Sequence, residues 1–224
     1  TVADIAPCNP PAVQVALSSM PARISATDVE LWIRDPYAYY AKNILKLRAS
    51  NDLDAELTAM ERGNIFHTVL DTLATTYPTS WPLDAKQTFM DLLAAGFAKH
   101  GTTPDEWHMM VPRIKHLAEQ VWQFERARRE QVISFHSEIK GETPLAIGDY
   151  QPVLHAKADR VDVLRDGSLH ITDYKTGEPP SKLMVESALK PQLLVESIIA
   201  SNHGFAGVKA THVSLIGYVK ISES

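Results

Sequence analysis

The feature that most constrains the fold is a change of hydrophobic periodicity near Gly141. From about residue 25 to residue 140, apolar residues recur at helical spacing, and Pro36 and Pro104 stand where prolines commonly open helices. After Gly141 the residues alternate between apolar and polar and become rich in β-branched types, which is typical of strands. The chain is therefore predicted to place a large helical block before an α/β core.

The α/β part has a definite order of elements. Strands are predicted at residues 145–147, 152–164, 168–175 and 208–220. A helix from Pro191 to about Asn202 lies between the last two strands. We assign residues 23–140 to the helical block, 141–224 to the core and the proline-rich residues 1–22 to a linker. Because the chain lacks an initiator methionine and ends within a strand, we expect a fragment truncated at its C-terminus.

Composition narrows the class of protein. The single cysteine, Cys8, excludes a disulfide within the chain and a metal cluster bound by four cysteines. There is no apolar run long enough to cross a bilayer and no signal peptide, so we expect a cytoplasmic location without a membrane partner. The formal net charge of −5 argues against a large nucleic-acid footprint. A bound cation would offset part of that charge locally, because a metal site itself requires carboxylates.

The Asp166-Gly167 pair marks a hairpin turn whose register decides which side chains meet. A two-residue loop would mix apolar and polar side chains on each face of the hairpin. A loop of residues 166–168 instead pairs Arg165 with Leu169. It gathers on one face the apolar residues Val161, Val163, Leu169 and Ile171. We therefore predict the longer loop.

The chosen register brings Asp159, Asp173 and Lys175 together at one end of the apolar face. Two carboxylates on a partly buried face repel each other and are poorly solvated, and a divalent cation between them resolves both problems. Oxygen ligands favour Mg²⁺ or Mn²⁺, which activates water for attack on phosphorus while Lys175 orients the water or neutralises developing charge. The alternative is a plain salt bridge of Lys175 with either acid. Asp162, on the opposite face, is expected to be solvated or salt-bridged rather than a ligand.

The same residues belong to a longer series of motifs. The runs Ala158-Asp159-Arg160-Val161-Asp162 and Ile171-Thr172-Asp173-Tyr174-Lys175-Thr176-Gly177 resemble the PD-(D/E)XK nuclease superfamily, in particular its RecB-like branch. Three further segments occur in the order typical of C-terminal nuclease domains of the AddB type. They are Asp35-Pro36-Tyr37-Ala38-Tyr39-Tyr40-Ala41, Gly63-Asn64-Ile65-Phe66-His67 and Pro191-Gln192-Leu193-Leu194-Val195-Glu196. The resemblance implies a restriction-endonuclease-like α/β fold, with a mixed sheet core flanked by helices.

The resemblance also implies roles for individual residues. The metal-binding and catalytic residues would be Asp159, Asp173, Lys175, His67 and the backbone carbonyl of Tyr174. Gln192 would position the substrate or the site. Glu196 lies four residues further on the same helix face, so it is a candidate for binding a water or holding Lys175, or else part of a polar face. Taken alone, a histidine such as His67 is more often a hydrogen-bonded structural residue.

One departure from the family pattern concerns iron. Many AddB-type domains hold an iron–sulfur cluster on four cysteines, one of them beside the proline that Pro36 matches, where this chain has Asp35. No such cluster is expected here, and the branch without it, of the alphaproteobacterial type, is the better match. The implied function is exonuclease-type cleavage of DNA at double-strand breaks, with an AddA-type helicase-nuclease subunit as partner and single-stranded DNA as substrate. The alternatives are a stand-alone or CRISPR-associated exonuclease, and a non-catalytic DNA-binding scaffold that kept the fold.

Overall fold

The computed structural model describes residues 15–48 and 59–221, which form a mixed sheet with helices on both faces. The strands are β1 (Arg23–Ser25), β2 (Val132–Pro144), β3 (Val153–Leu164), β4 (Leu169–Lys175) and β5 (Val213–Lys220). The helices are α1 (Ala26–Arg34), α2 (Pro36–Tyr39), α3 (Ala59–Thr76), α4 (Ala85–Lys99), α5 (Pro104–Arg129), α6 (Lys182–Glu186) and α7 (Gln192–Ser201). A π-helical turn, Tyr40–Ile44, continues α2.

The sheet is built around β3. The strand β2 pairs antiparallel along one edge of β3. The other edge is shared, because β1 pairs parallel near Val153 while β4 pairs antiparallel between Arg160 and Val163. The strand β5 lies parallel to β4 on the outside. This arrangement confirms the predicted mixed sheet flanked by helices, consistent with a restriction-endonuclease-like fold.

Two apolar cores lie on the two faces of the sheet. On one face, α7 contacts β3, β4 and β5, and its Leu193 and Ile199 share a buried cluster with Ile171. On the other face, α3, α4 and α5 form a layer whose buried side chains include Leu73, Phe89, Leu93, Phe97, Ile114 and Leu117. Tyr174 joins this second core from β4. Alternation along β4 therefore sends Ile171 and Tyr174 to opposite faces.

The helix starts predicted at Pro36 and Pro104 are confirmed, and a further helix starts after a cap at Ser25. Ser25 accepts a hydrogen bond from the backbone N–H of Asp28, and the Asp28 carboxylate accepts one from the backbone N–H of Ser25. Pro36 stands in the first turn of α2 and Pro104 in the first turn of α5, where a missing N–H does no harm. These starts are local signals, so they could be read from the sequence without knowing the fold.

The β3–β4 hairpin has the predicted face pattern in a different register. Val161 pairs with Ile171, so the loop comprises residues 165–167 rather than the predicted 166–168. The pairing is shifted by two residues, and an even shift leaves every side chain on the face predicted for it. Gly167 has a φ of +81°, a conformation that glycine adopts without strain, and this places the turn one residue earlier.

The prediction that the last helix of the helical block continues to about Ile139 is wrong. The helix α5 ends at Arg129, and residues 132–144 form β2 instead of continuing the helix to about Ile139. Pairing with β3 along this whole segment stabilises the extended form over a weak helical pattern. The short strand β1, inside the predicted helical block, also pairs with β3.

Part of the predicted linker at residues 1–22, including Cys8, lies outside the described residues. Its described end is attached to the sheet, because the N–H of Val153 donates to the carbonyl of Ala22 at 2.9 Å. Residues 222–224 also lie outside the described part of the chain, so the predicted C-terminal truncation stays a prediction. Among the described helices, none has the length and apolar character needed to cross a membrane.

Candidate active site

Three potential metal ligands converge where α3 meets β2 and β3. His67, Glu138 and Asp159 offer ligand atoms that lie within 4.8 Å of one another. The Nδ1 atom of His67 is 3.3 Å from Oδ1 of Asp159 and 3.7 Å from Oε1 of Glu138. One imidazole and two carboxylates form a donor set that can hold a divalent cation. The structure thus brings together the predicted ligands His67 and Asp159 and adds Glu138 as a third potential ligand.

Sequence reasoning misses Glu138, because it lies in the segment assigned to a helix. Its backbone has a φ of +50°, which is rare for a residue other than glycine. Its neighbours Ser137 and Ile139 keep their pairing with Arg160 and Ala158, so the deviation is confined to one residue of a continuous strand. Such a conformation costs about 1–3 kcal/mol, and residues held this way concentrate at functional sites. Nothing in the local sequence marks it.

The two predicted acids come from the neighbouring strands β3 and β4. Oδ2 of Asp159 accepts a hydrogen bond of 2.8 Å from the backbone N–H of Tyr174. Asp173 is 1% exposed, and its Oδ2 lies 2.8 Å from Nζ of Lys175. Burial, and then the charge of Asp159, raise the pKa of Asp173 from 3.8 to about 6, against the lowering effect of Lys175. The salt bridge of Lys175, which was the alternative to a metal site, is therefore present with Asp173. It lies within the same cluster of acids.

Gln192, the first residue of α7, connects the remaining side chains of the site. Its Nε2 donates to Oδ1 of Asp173 and, at 3.3 Å, to Oε1 of Glu196. Its Oε1 accepts from Nζ of Lys175 at 3.3 Å. Glu196 is fully buried, and burial followed by the charge of Asp173 raises its pKa well above the usual range. Gln192 thus contacts Asp173 and Lys175 from the α7 side, and Glu196 contacts Gln192. The supporting roles of both residues stay predictions.

His67 carries the positive charge that balances the nearby acids. Burial lowers the pKa of His67, but hydrogen bonds and charges from Asp159 and Glu138 outweigh burial and raise it to about 10. The same interactions lower the pKa of Glu138, with the hydrogen bond from His67 as the main cause. A metal ion bound here would take the place of the imidazole proton, because only a neutral imidazole is a ligand.

An open cleft of about 360 Å³ contains the assembled residues. It is lined by Asn64, His67, Thr68, Glu138, Lys157, Asp159, Asp173, Lys175 and Gln192. Lys157 contacts the carboxylate of Glu138 from the mouth of the cleft. The side chain of Lys175 is 33% exposed, so its amine can meet a ligand that enters from solvent.

Asp162 lies outside this cleft, which agrees with the prediction that it is not a metal ligand. Solvation was one of the two environments considered for it, but the residue is not solvated. It is fully buried and accepts a hydrogen bond of 2.7 Å from Arg160 and another from Arg128. The polar face of β3 is covered by α5 rather than by water, so only the salt-bridged alternative is confirmed. For Tyr174, the structure shows a contact of its N–H with Asp159, and the ligand role of its carbonyl stays a prediction.

The fold and the cluster of acids with Lys175 are consistent with a metal-dependent hydrolase, and comparison with known families identifies the class. The family model of the PD-(D/E)XK nuclease superfamily matches residues 23–223, which include every predicted site residue. The chain belongs to the PD-(D/E)XK nuclease superfamily. Membership implies a nuclease that uses divalent metal ions.

The chain is also similar to much longer proteins of Rickettsia. It is 33% identical over 190 residues to an uncharacterized protein of Rickettsia bellii, covering 83% of this chain and 22% of that protein. It is 30% identical over 194 residues to an uncharacterized protein of Rickettsia felis, covering 84% and 22%. A third, from Rickettsia conorii, is 28% identical over 211 residues, covering 91% and 25%. The chain thus spans about a quarter or less of the length of these curated relatives.

Proposed function

We propose that this chain hydrolyses phosphodiester bonds in DNA, by exonuclease-type cleavage that requires Mg²⁺ or Mn²⁺. The observation that carries the proposal is the cleft that gathers His67, Glu138 and Asp159 beside Asp173 and Lys175. Carboxylates that face one another in a partly buried cleft are unfavourable unless a cation is bound. Membership of the nuclease superfamily supports the same conclusion.

The side chains present fit a divalent cation. Three donor groups lie within 4.8 Å of one another. The Oδ2 atom of Asp173 is buried and, although near Lys175, makes no hydrogen bond within the described part of the chain. The carboxylate donors, which outnumber the single imidazole, suit Mg²⁺ or Mn²⁺. We assign His67, Glu138 and Asp159 as residues that would hold the ion, with Asp173 and the carbonyl of Tyr174 as further predicted ligands.

The chemistry divides between the ion and the protein. When bound, the ion would polarise a phosphoryl oxygen and lower the pKa of a water molecule. Lys175 places a positive charge in the same cleft, where it would stabilise the negative charge that develops on the substrate phosphate. Gln192 holds the Lys175 amine through Oε1 and Asp173 through Nε2, so the spacing of amine and acid is kept before substrate arrives. Glu196 fixes the orientation of the Gln192 amide from the buried side.

We further propose that the activity serves double-strand break repair in the bacterial cytoplasm, as part of an AddAB-type helicase-nuclease. The order of the motifs around Pro36, His67 and Gln192 supports this context. The relatives are several times longer than the matched segment, which leaves room in them for other activities. An AddA-type subunit would then unwind a broken end and deliver single-stranded DNA to the cleft.

The direct test is cleavage of end-labelled single-stranded DNA, a substrate that needs no unwinding partner. We expect cleavage that requires Mg²⁺ or Mn²⁺, stops in EDTA and falls at least about a hundredfold in Lys175→Ala. Lys182→Ala is the matched control, because that lysine is 88% exposed on α6 and outside the cleft. Cleavage at an unchanged rate in Lys175→Ala, or cleavage that persists in EDTA, would refute the proposal.

The same assay separates the rival functions. A DNA-binding scaffold would retard labelled DNA in a gel without shortening it, whichever divalent ion is added. A stand-alone exonuclease that acts on duplex ends would degrade a blunt duplex without an added helicase. A subunit that depends on a helicase would cut the single strand and leave the blunt duplex intact.

A further inference from the structure

A second groove, of about 910 Å³, follows the first half of β2. Residues from Val132 to Ser137 form one side, the loop after α3 forms another, and Arg129 and Arg165 also line it. The polar side chains that line this groove are two arginines, one histidine and four hydroxyl groups, without a carboxylate among the lining residues described. The absence of acids stands out in a chain with 27 acidic and 22 basic residues. We refer to it as the β2 groove.

A buried ionic cluster lies against the β2 groove through Arg129. Arg129 donates to Glu125 at 3.3 Å, Arg160 contacts both Glu125 and Asp162, and Arg128 contacts Asp162. Three guanidinium groups thus face two carboxylates. Both terminal nitrogens of Arg129 and Nη2 of Arg160 are buried without a hydrogen-bond acceptor in the described part of the chain. Because excess charge in a low-dielectric interior is weakly screened, its field reaches into the groove and favours an anion there.

The β2 groove also offers surfaces for unpaired bases. Over this stretch β2 pairs with β3 alone among the described strands, so its outer edge leaves backbone N–H groups available. Ile133 is 66% exposed at an irregularity in the pairing. The ring of Phe135 lines the groove, with the guanidinium groups of Arg129 and Arg160 at 4.6 and 4.8 Å from its centroid. Cations that follow a phosphate backbone beside apolar and aromatic side chains are the combination that binds single strands.

The β2 groove lies next to the metal cluster. Ser137 and Ala74 line both the groove and the small inner cavity that is also lined by His67, Glu138 and Asp159. Ser137 directly precedes Glu138 on β2, and Ser134 lies about 13 Å from Glu138 at the usual rise of a strand. A polymer whose backbone lies in the groove would therefore reach the ligand cluster at one end.

We propose that the β2 groove binds single-stranded DNA next to the phosphodiester that is cleaved. The proposal rests on the nuclease function proposed above and adds the path along which the substrate is held. A single strand fits better than a duplex because it carries less negative charge per unit length. A duplex carries about one phosphate per 1.7 Å of its axis, twice the density of one strand. The acidic remainder of the surface would repel the second strand of such a duplex.

Binding of a fluorescent oligothymidylate, measured by anisotropy in EDTA, tests the groove without cleavage. Arg165→Glu should raise the Kd at least about tenfold, and the slope of log Kd against log salt should fall by about 0.7 for each phosphate that the variant no longer neutralises. Arg113→Glu is the matched control with the same change of net charge, on an exposed site of α5 about 24 Å along the helix from Arg129. Ser134→Asp, at an exposed position in the groove, should weaken binding like Arg165→Glu.

Hydrolysis of bis(p-nitrophenyl) phosphate with Mn²⁺ separates the groove from the nuclease site, because this small ester needs only the metal cleft. Arg165→Glu should leave that rate unchanged, and circular dichroism should show an unchanged fold. Equal oligonucleotide binding by Arg165→Glu and Arg113→Glu would overturn the groove proposal while the nuclease function stands. Failure of the wild type to hydrolyse any phosphodiester would overturn the nuclease function, whereas a difference in binding between the two variants would still support the groove. Polyglutamate serves as a second probe, which stands for an acidic protein partner. If Arg165→Glu lost binding to polyglutamate but kept oligonucleotide binding, the β2 groove would be a protein-docking surface and the proposal would be refuted.

Discussion

Replacing Asp173 by asparagine should stabilise the metal-free protein and weaken its response to metal ions. Burial and the charge of Asp159 raise the pKa of Asp173 from 3.8 to about 6. The folded protein therefore binds this proton more tightly than the unfolded chain, and ionisation above pH 6 costs about 3 kcal/mol of stability. Asparagine keeps the shape and the contact with Gln192 but carries no charge. Allowing for an imperfect amide contact, we expect the free energy of unfolding to rise by about 1–3 kcal/mol at pH 7.

The pH dependence checks the sign of this effect. The stability of the wild type relative to Asp173→Asn should fall as pH rises from 3.8 to about 6 and stay constant above that. Urea unfolding in EDTA between pH 4 and pH 7 measures the difference. Addition of Mn²⁺ should then stabilise the wild type according to its affinity, and stabilise the variant less because one further ligand is lost. A variant less stable than the wild type at pH 7, or a gain that does not shrink towards pH 4, would refute the reasoning.

Asp28 supplies a control of opposite sign outside the cleft. Burial would raise its pKa, but hydrogen bonds with Ser25, Lys42 and Asn43 lower it from 3.8 to about 2. Its charge therefore contributes stability above pH 3.8, and this contribution is lost as pH falls through 2. Asp28→Asn should lower the free energy of unfolding by about 2 kcal/mol at pH 7. If both asparagine variants changed stability in the same direction, local electrostatics would not be the cause.

Three further measurements probe other parts of the structure. Burial lowers the pKa of His67, but its two acidic partners raise it more, to about 10. His67 therefore carries a proton at neutral pH, and an entering ion must displace that proton. The Mn²⁺ affinity should then rise by up to about tenfold per pH unit below pH 10, with proton release visible by calorimetry in buffers of different ionisation enthalpy. Arg160→Met removes one of the two arginine partners of each of two buried carboxylates and should cost about 3–5 kcal/mol in urea unfolding. Arg23→Met, at a half-exposed pair, should cost less than about 1 kcal/mol. Gly141→Ala would put a methyl carbon 2.4 Å from the ring of Phe205 and should cost about 1–3 kcal/mol, measured as a lower Tm.

Local signals in the sequence predicted the elements that they control, and distant pairing decided the others. The capping box at Ser25 and the proline at Pro104 specify helix starts through contacts within a few residues. Nothing comparable marks the end of α5 at Arg129, since neither glycine nor proline follows there. The extended form of residues 132–144 depends on pairing with β3, which a local pattern does not contain. Glu138 was missed for that reason.

The candidate site was predictable as far as strand alternation reaches. Asp159, Asp173 and Lys175 were placed together although the pairing differs by two residues from the predicted one, because only an odd shift would have separated them. Alternation assigns a side chain to a face, but it does not say what covers that face. Asp162, on the polar face of β3, was expected to be solvated or salt-bridged, and it is buried with Arg160 beneath α5 in salt bridges. A polar face on a central strand is therefore weak evidence for exposure.

The cleft combines several features that are unfavourable to folding, and their coincidence is a physical argument for function that does not depend on likeness to other proteins. Asp173 is buried beside a second acid, Glu138 adopts a left-handed backbone conformation, and Oε2 of Glu196 is buried without a hydrogen-bond partner in the described part of the chain. Each feature lowers stability by its own mechanism, namely charge repulsion, backbone strain and loss of solvation. Asp162 on β3, by contrast, is equally buried but paired with two arginines. Since the fold can evidently satisfy a buried acid where no ligand is expected, the unsatisfied acids in the cleft are best explained by a cation that binds between them.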